Sequence, residues 1–173
     1  LVRYIKSKYS LVEIFEGNYL NVALRFLNVM KKFKFNYAVR VNGDSPLMNM
    51  HLIKKNLKFL KKEKYDIITN VYNRSYPKGQ SIEIISQKIL SKYINNISKS
   101  KIDKENVTSY FYKKKIFNKL LSRQIKNKKN FSNVNLSIDD KKDLKFLKTV
   151  VKKNNKPNLR ELLILRKKFD KHD

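Results

Sequence analysis

The segment Arg40-Val41-Asn42-Gly43-Asp44-Ser45-Pro46-Leu47 constrains the fold of this chain more than any other. A hydrophobic stretch, Tyr37 to Val41, runs directly into Gly-Asp and then into a Ser-Pro turn. Valine and tyrosine suit a pleated, half-buried strand, whereas Gly, Asp, Ser and Pro punctuate turns. The Asp44 carboxylate therefore falls at the carboxyl end of a strand, which is where open α/β sheets bind ligands. A second acid, Asp139, has a matching context at the end of the strand-like run Val134 to Ile138. Two strand-end acids on one sheet suit a divalent cation and a polyphosphate. Each alone also has a plainer reading, with Asp44 as a turn former and Asp139 as a helix N-cap.

Elsewhere helical and strand patterns alternate. Leu11 to Phe15 reads as a short strand. Asn18 is a candidate cap for a helix from about Tyr19 to Phe33, with Leu20, Ala23, Leu24, Leu27 and Met30 on one face. Asn49 precedes a helix from about Met50 to Glu63, and Asp66 to Val71 has the continuous apolar character of a buried parallel strand. Asn73 to Gly79 is a basic, aromatic loop. Gln80 to Ile85 alternates, putting Ile82 and Ile84 on one face and Ser81 and Glu83 on the other. Ser86 is positioned to cap a helix through about Ile97. Lys104 to Lys114 looks helical, and Tyr110-Phe111-Tyr112 within it reads as core more readily than as a stacking platform. Ile116 to Ile125 matches neither template. Asp139-Asp140 opens a helix to about Lys153, whose expected core stripe is Leu144, Leu147, Val150 and Val151. Asn158 with Glu161 forms a capping-box-like start to a last helix. The alternation predicts a three-layer α/β/α fold with a mostly parallel mixed sheet. One domain over residues 1–153 is followed by a helical extension over 154–173.

Composition narrows the partners. The net charge of +27 invites a nucleic-acid reading. That charge comes from 34 Lys against 7 Arg, with 20 Asn and 16 Ile beside them. Arginine is the residue favoured for bidentate phosphate and base contacts. Lys, Asn and Ile share AT-rich codons, and the lysines are spread along the chain, so nucleic acid is not the expected partner. There is no cysteine, which excludes thiolate metal sites and fits a reducing cytoplasm. No apolar run approaches the length of a membrane span. His51 and His172 are isolated, and no Walker-type loop or nucleophilic triad is present.

Five segments in order resemble the cytidylyltransferase family that makes activated surface-polysaccharide sugars, the spore-coat and flagellin-modification type related to acylneuraminate cytidylyltransferases. They are 17–26 (GNYLNVALRF), 40–47 (RVNGDSPL), 74–83 (RSYPKGQSIE), 105–110 (ENVTSY) and 136–144 (LSIDDKKDL). They stand beside family patterns of the form R-V-T-G-D-C-P-L, R-T-Y-P-x-G-x-D-x-E, E-H-V-T-P-Y and L-x-V-D-x-x-E-D-L. The chain departs from those patterns at Asn42, Ser81, Asn106 and Ser109, where the family has Thr, Asp, His and Pro.

The resemblance implies a nucleotide-diphospho-sugar transferase-like fold. It also implies transfer of CMP from CTP to a sugar or sugar acid, with release of pyrophosphate. It assigns Mg²⁺ or Mn²⁺ to Asp44 and Asp139 as metal-binding and catalytic acids, nucleotide contacts to Asn42 and Gly43, and substrate contacts to Arg74, Lys78 and Glu83. Arg40 is expected to pair with an acid under the site or to touch phosphate, the structural role being favoured, and Glu83 to be either a buried partner for a nearby Lys or Arg or a group in the ligand crevice. A homodimer is compatible with it. The family opens with a strand and a Gly/Arg/Lys loop around the nucleotide, and nothing before Leu11 resembles these. The chain thus reads as the family without its first strand and nucleotide loop, roughly forty residues by the size of one βα unit. By itself it is expected to be inactive and poorly stable. The alternatives are a non-catalytic α/β binding module and a basic nucleic-acid-binding protein.

Overall fold

Four short strands organise the chain: β1 Tyr37–Arg40, β2 Ile67–Thr69, β3 Glu83–Ser86 and β4 Ser122–Gln124. In the computed structural model, which describes residues 1–154 and 156–172 (the last without its side chain), they form one open sheet ordered β1-β3-β2-β4. β3 is antiparallel to β1 and β2, and β2 is parallel to β4. Hence β1, β2 and β4 share one direction, and their carboxyl ends emerge at the same edge. The register sets Arg40, Glu83, Thr69 and Gln124 in one row across that edge.

Alternation along the strands sorts the core into two layers. On one face Ala38, Ile67 and Ile85 meet helix α2 (Val22–Lys32) and helix α4 (Gln87–Ser98), through Ala23, Leu27, Met30, Ile89, Leu90 and Ile97. On the other, Val39, Ile68 and Ile84 meet Ile53 of α3 (Met50–Leu57) and Phe59 and Leu60 of the following 3-10 turn. Each fully buried Leu or Ile is worth about 1.5–3 kcal/mol of transfer free energy. The remaining helices are α1 (Val2–Lys8), α5 (Lys101–Asn106), α6 (Lys114–Phe117), α7 (Lys141–Lys153) and α8 (Leu159–His172). The result is the mixed α/β sheet flanked by helices that the alternation predicts.

Local chemistry explains the helix starts. Asn49 accepts from the N–H groups of His51 and Leu52, Ser86 from Ile89 and Asp140 from Asp143. Asn158 and Glu161 exchange hydrogen bonds at 3.0 and 3.1 Å, a complete capping box. Asn18 instead accepts from Leu20 and Asn21, and Asn21 caps α2, so that helix begins three residues later than Tyr19.

Several expectations change. Leu11 to Phe15 forms no strand. Val134 to Ile138 makes only a single bridge, Asn135 to Lys78, because side chains and loop backbone take up its other groups. The ambiguous stretch supplies β4 instead. The expected Lys104–Lys114 helix breaks at Val107, whose φ of 60° turns Thr108 and a 3-10 turn at Ser109–Tyr112 toward the sheet. The inner stripe of α7 is Asp143, Phe146 and Val150, while Leu144 and Val151 are exposed. Phe111 is core, as expected. α8 packs back through Leu162, Leu165 and Phe169 onto Phe146, Val150 and Leu136. In the 154–173 extension, Asn155 and Asp173 lie outside the described residues. β1 ends the sheet order, and a groove of about 360 Å³ lined by Phe26, Met30, Phe35 and Ala38 runs beside it.

Candidate active site

Three loops meet at the carboxyl edge of the sheet, each led there by a strand or by a specific backbone contact. The first follows β1 and carries Asn42, Gly43 and Asp44. The second is the 74–80 loop between β2 and β3, and the third is the 134–140 segment before α7. Ile138 donates its N–H to the Asp44 carbonyl at 2.8 Å, which joins the two acid-bearing turns. Lys78 donates its N–H to Val134 and accepts from Leu136, joining the second loop to the third.

Gly79 makes that junction possible. Its φ is +81°, and a Cβ there would lie 2.6 Å from the Leu136 and Ser137 backbone. No other residue fits such a close approach at positive φ. Gln80, fully buried, links the second loop to the first: its amide donates to the Leu47 carbonyl and accepts from the Asn49 N–H. Asn70 then binds the Gln80 carbonyl and the Ile82 N–H.

Both acids read from the sequence are exposed. The Asp44 carboxylate accepts from the Ser45 hydroxyl at 2.8 Å. Asp139 accepts from Asn135 at 3.0 Å and from Ser137 at 3.2 Å. Among the described residues neither is ion-paired, although the chain carries 41 Lys and Arg. Asn42 accepts the Ser45 N–H in the turn, and Gly43 faces open space.

Asp143 is the post behind Asp139. It is 5% exposed and accepts from Asn135, from the Asp139 N–H and, at 2.7 Å, from Arg166 of α8. Burial raises its pKa, but the Arg166 and backbone hydrogen bonds outweigh that and hold it below the usual carboxylate range. Burial likewise opposes the charge on Arg166, and its bonds to Asp170 and Asp143 raise it on balance.

Glu83 lies beneath the edge, 3% exposed. It accepts from Arg40 at 2.6 Å, Thr108 at 2.5 Å and Tyr112 at 2.6 Å. Arg40 thus pairs with an acid under the site, and Glu83, the buried partner of the two readings, is that acid. Burial and then the Glu83 charge push the Tyr112 hydroxyl well above its ordinary range, so it remains a donor. Arg74 is half-buried and bonds the Pro77 carbonyl and the Ser81 hydroxyl. Burial lowers its pKa from the ordinary arginine value, against the raising effect of nearby Glu83. Lys78 is exposed.

The family model described as Cytidylyltransferase matches residues 3–168. The chain belongs to the cytidylyltransferase family. It is 30% identical over 135 residues to the uncharacterized protein MJ1063 of Methanocaldococcus jannaschii, covering 78% of this chain and 54% of that protein. It therefore spans about half the length of this curated relative. Its fold matches that of a cytidylyltransferase from Leptospira borgpetersenii serovar Hardjo-bovis, with a TM-score of 0.85 at 22% identity, over 96% of this chain and 70% of the other.

At this edge of the sheet, the donor set is of the kind that suits a hard cation held in part by a phosphate ligand. No cluster of three or more acidic, His or Cys side chains suited to a metal occurs among the described residues. Mg²⁺ is commonly held by one or two carboxylates plus phosphate oxygens and water, and Asp44 and Asp139 meet that requirement. The residues that sequence reasoning missed are Gln80, Asn135, Asp143 and Arg166. Asp143 lay one turn beyond Asp139 in a quoted segment. Arg166 carried no signal, since it sits in a basic run.

Proposed function

We propose that this chain carries the acid-bearing edge of a nucleotidyltransferase site that moves CMP from CTP onto a sugar or sugar-acid hydroxyl, releasing pyrophosphate. The observation that carries the reading is the 2.8 Å hydrogen bond from the Ile138 N–H to the Asp44 carbonyl, which sets two exposed, unneutralised acids on touching turns. Asp44 and Asp139 would hold Mg²⁺ or Mn²⁺, whose charge would offset that of the triphosphate during in-line attack at the α-phosphorus. Asn42 and Gly43 flank the nucleotide, and the open space at Gly43 leaves room for close approach. Lys78 and Arg74 face the sugar. Arg74 suits an anionic group because its hydrogen-bond partners, the Pro77 carbonyl and the Ser81 hydroxyl, are neutral. Glu83 serves the same side from below by fixing Arg40 and Thr108. Asp143 and Arg166 hold the Asp139 turn.

The reaction would serve cytoplasmic assembly of a surface glycan, in a homodimer. No helix among the described residues is long and apolar enough to cross a membrane. A binding module without turnover is the second reading. Asn106 favours it, because its amide turns to the Ile102 carbonyl of its own helix. Pyrophosphate release from CTP by the full-length protein tests the proposal. Asp44→Asn should cut it on the order of a thousandfold with unchanged thermal unfolding, and near-wild-type release would sink the metal assignment. Metal-dependent CTP binding without any turnover would favour the module.

A further inference from the structure

A cleft of about 1170 Å³ lies between the 127–135 loop and α8. Its floor is apolar, formed by Phe131, Val134, Leu159, Leu163 and Ile164. Its rim is cationic, formed by Lys129, Arg160, Lys167 and Lys171. Asp170 also lines it but is already paired with Arg166 at 3.0 Å. α8 is thus apolar on two sides. Leu162, Leu165 and Phe169 enter the core, while Leu163 and Ile164 face the cleft, with Ile164 48% exposed. A solvated helix face needs no such second stripe.

We propose that this cleft docks an acidic amphipathic helix of a partner protein. α8 has 14 residues and spans about 21 Å at 1.5 Å per residue, so it can lie along a partner helix of several turns. Aliphatic side chains of that helix fill the floor, and its Asp and Glu residues meet the rim. A second copy meeting this cleft with its own is a poor occupant, because the two cationic rims would face each other and repel. Single-stranded nucleic acid needs successive aromatic stacking platforms, and this floor offers Phe131 alone among aliphatic side chains. A concave cleft also does not match a flat lipid surface.

The test uses a fluorescein-labelled helical peptide with leucines along one face and glutamates elsewhere, titrated by anisotropy at physiological salt. A peptide of the same composition with scattered leucines is the control. The proposal expects binding of the first peptide and roughly tenfold or greater weakening by Ile164→Asp, by the Lys167→Glu/Lys171→Glu pair, and by scattering the leucines. Thermal unfolding of each variant should stay unchanged. Equal binding of both peptides would reduce the effect to bulk charge and overturn the proposal. So would insensitivity to Ile164→Asp. Displacement of the peptide by an oligonucleotide whose own binding depends on Ile164 would also overturn it, in favour of nucleic acid.

Discussion

The carboxylates at the carboxyl edge of the sheet fall into two kinds, and the contrast separates stability from function. Glu83 is buried and meets an arginine, a threonine and a tyrosine within hydrogen-bond distance. Asp44 and Asp139 are exposed on turns, with only neutral hydroxyl or amide donors. Among the described residues neither has an ion pair, which is equally true of exposed acids such as Glu13, Glu63 and Glu105, so what sets this pair apart is its placement on two hydrogen-bonded turns. A buried carboxylate without partners would be costly, so Glu83 must be satisfied for the fold to stand. The exposed pair bears no such requirement, and its openness leaves oxygen atoms for a ligand.

Replacing one member of each kind should break the contrast most clearly. Asp44→Asn in the full-length protein should reduce turnover on the order of a thousandfold. Its melting temperature should move little, read by pyrophosphate release and calorimetry on the same sample. Glu83→Ala should do the reverse at the level of the fold. Stranding Arg40 beside an emptied site should cost about 3 kcal/mol in denaturant unfolding. Turnover per folded molecule should fall far less than in Asp44→Asn.

Asp143 sharpens the comparison because it belongs to both kinds, buried like Glu83 yet touching the Asp139 turn. Asp143→Asn should cost about 2 kcal/mol by weakening a charge-assisted bond to Arg166. It should also weaken Mn²⁺ binding with CTP, which Glu83→Ala should not. Acid gives a milder version of the same test. Asp143 and Asp103 are both held below their ordinary pKa of 3.8, each by hydrogen bonds that outweigh burial. A depressed carboxyl pKa stabilises the fold above the unfolded value and loses that contribution as pH falls through the folded one. The melting temperature should therefore be flat above about pH 5 and fall below about pH 4, less steeply in Asp143→Asn. The smallest effect is expected from Tyr112→Phe, about 1 kcal/mol, which removes one of three donors to Glu83.

The sequence made the Asp44 turn legible because a strand, a glycine, an acid and a turn follow one another within a few residues, whereas the run before Asp139 read as a strand and forms only one bridge. Helix starts were equally readable from Asn49, Ser86 and Asn158, since a cap is satisfied within three residues, while the cap of α7 falls at Asp140, one residue after the Asp139 read from the sequence. What escaped depends on distant partners. β4 is only three residues long, and its pairing with β2 gives it strand form that Ser122-Arg123-Gln124 does not declare. The α7 stripe was displaced because Asp143, a charged residue, turned inward once Arg166 was available from α8. Glu83 was ambiguous in a strand pattern, and only the break at Val107 brings Thr108 and Tyr112 to it.

The central claim is that Asp44 and Asp139 act as one unit on a nucleotide-bound metal. A double-mutant cycle tests it most directly, with Mn²⁺ binding in the presence of CTP measured by electron paramagnetic resonance for Asp44→Asn, Asp139→Asn and the pair. The account predicts that either single change removes most of the binding and that the double change removes little more. Independent, additive losses, or binding retained when both acids are amides, would contradict it.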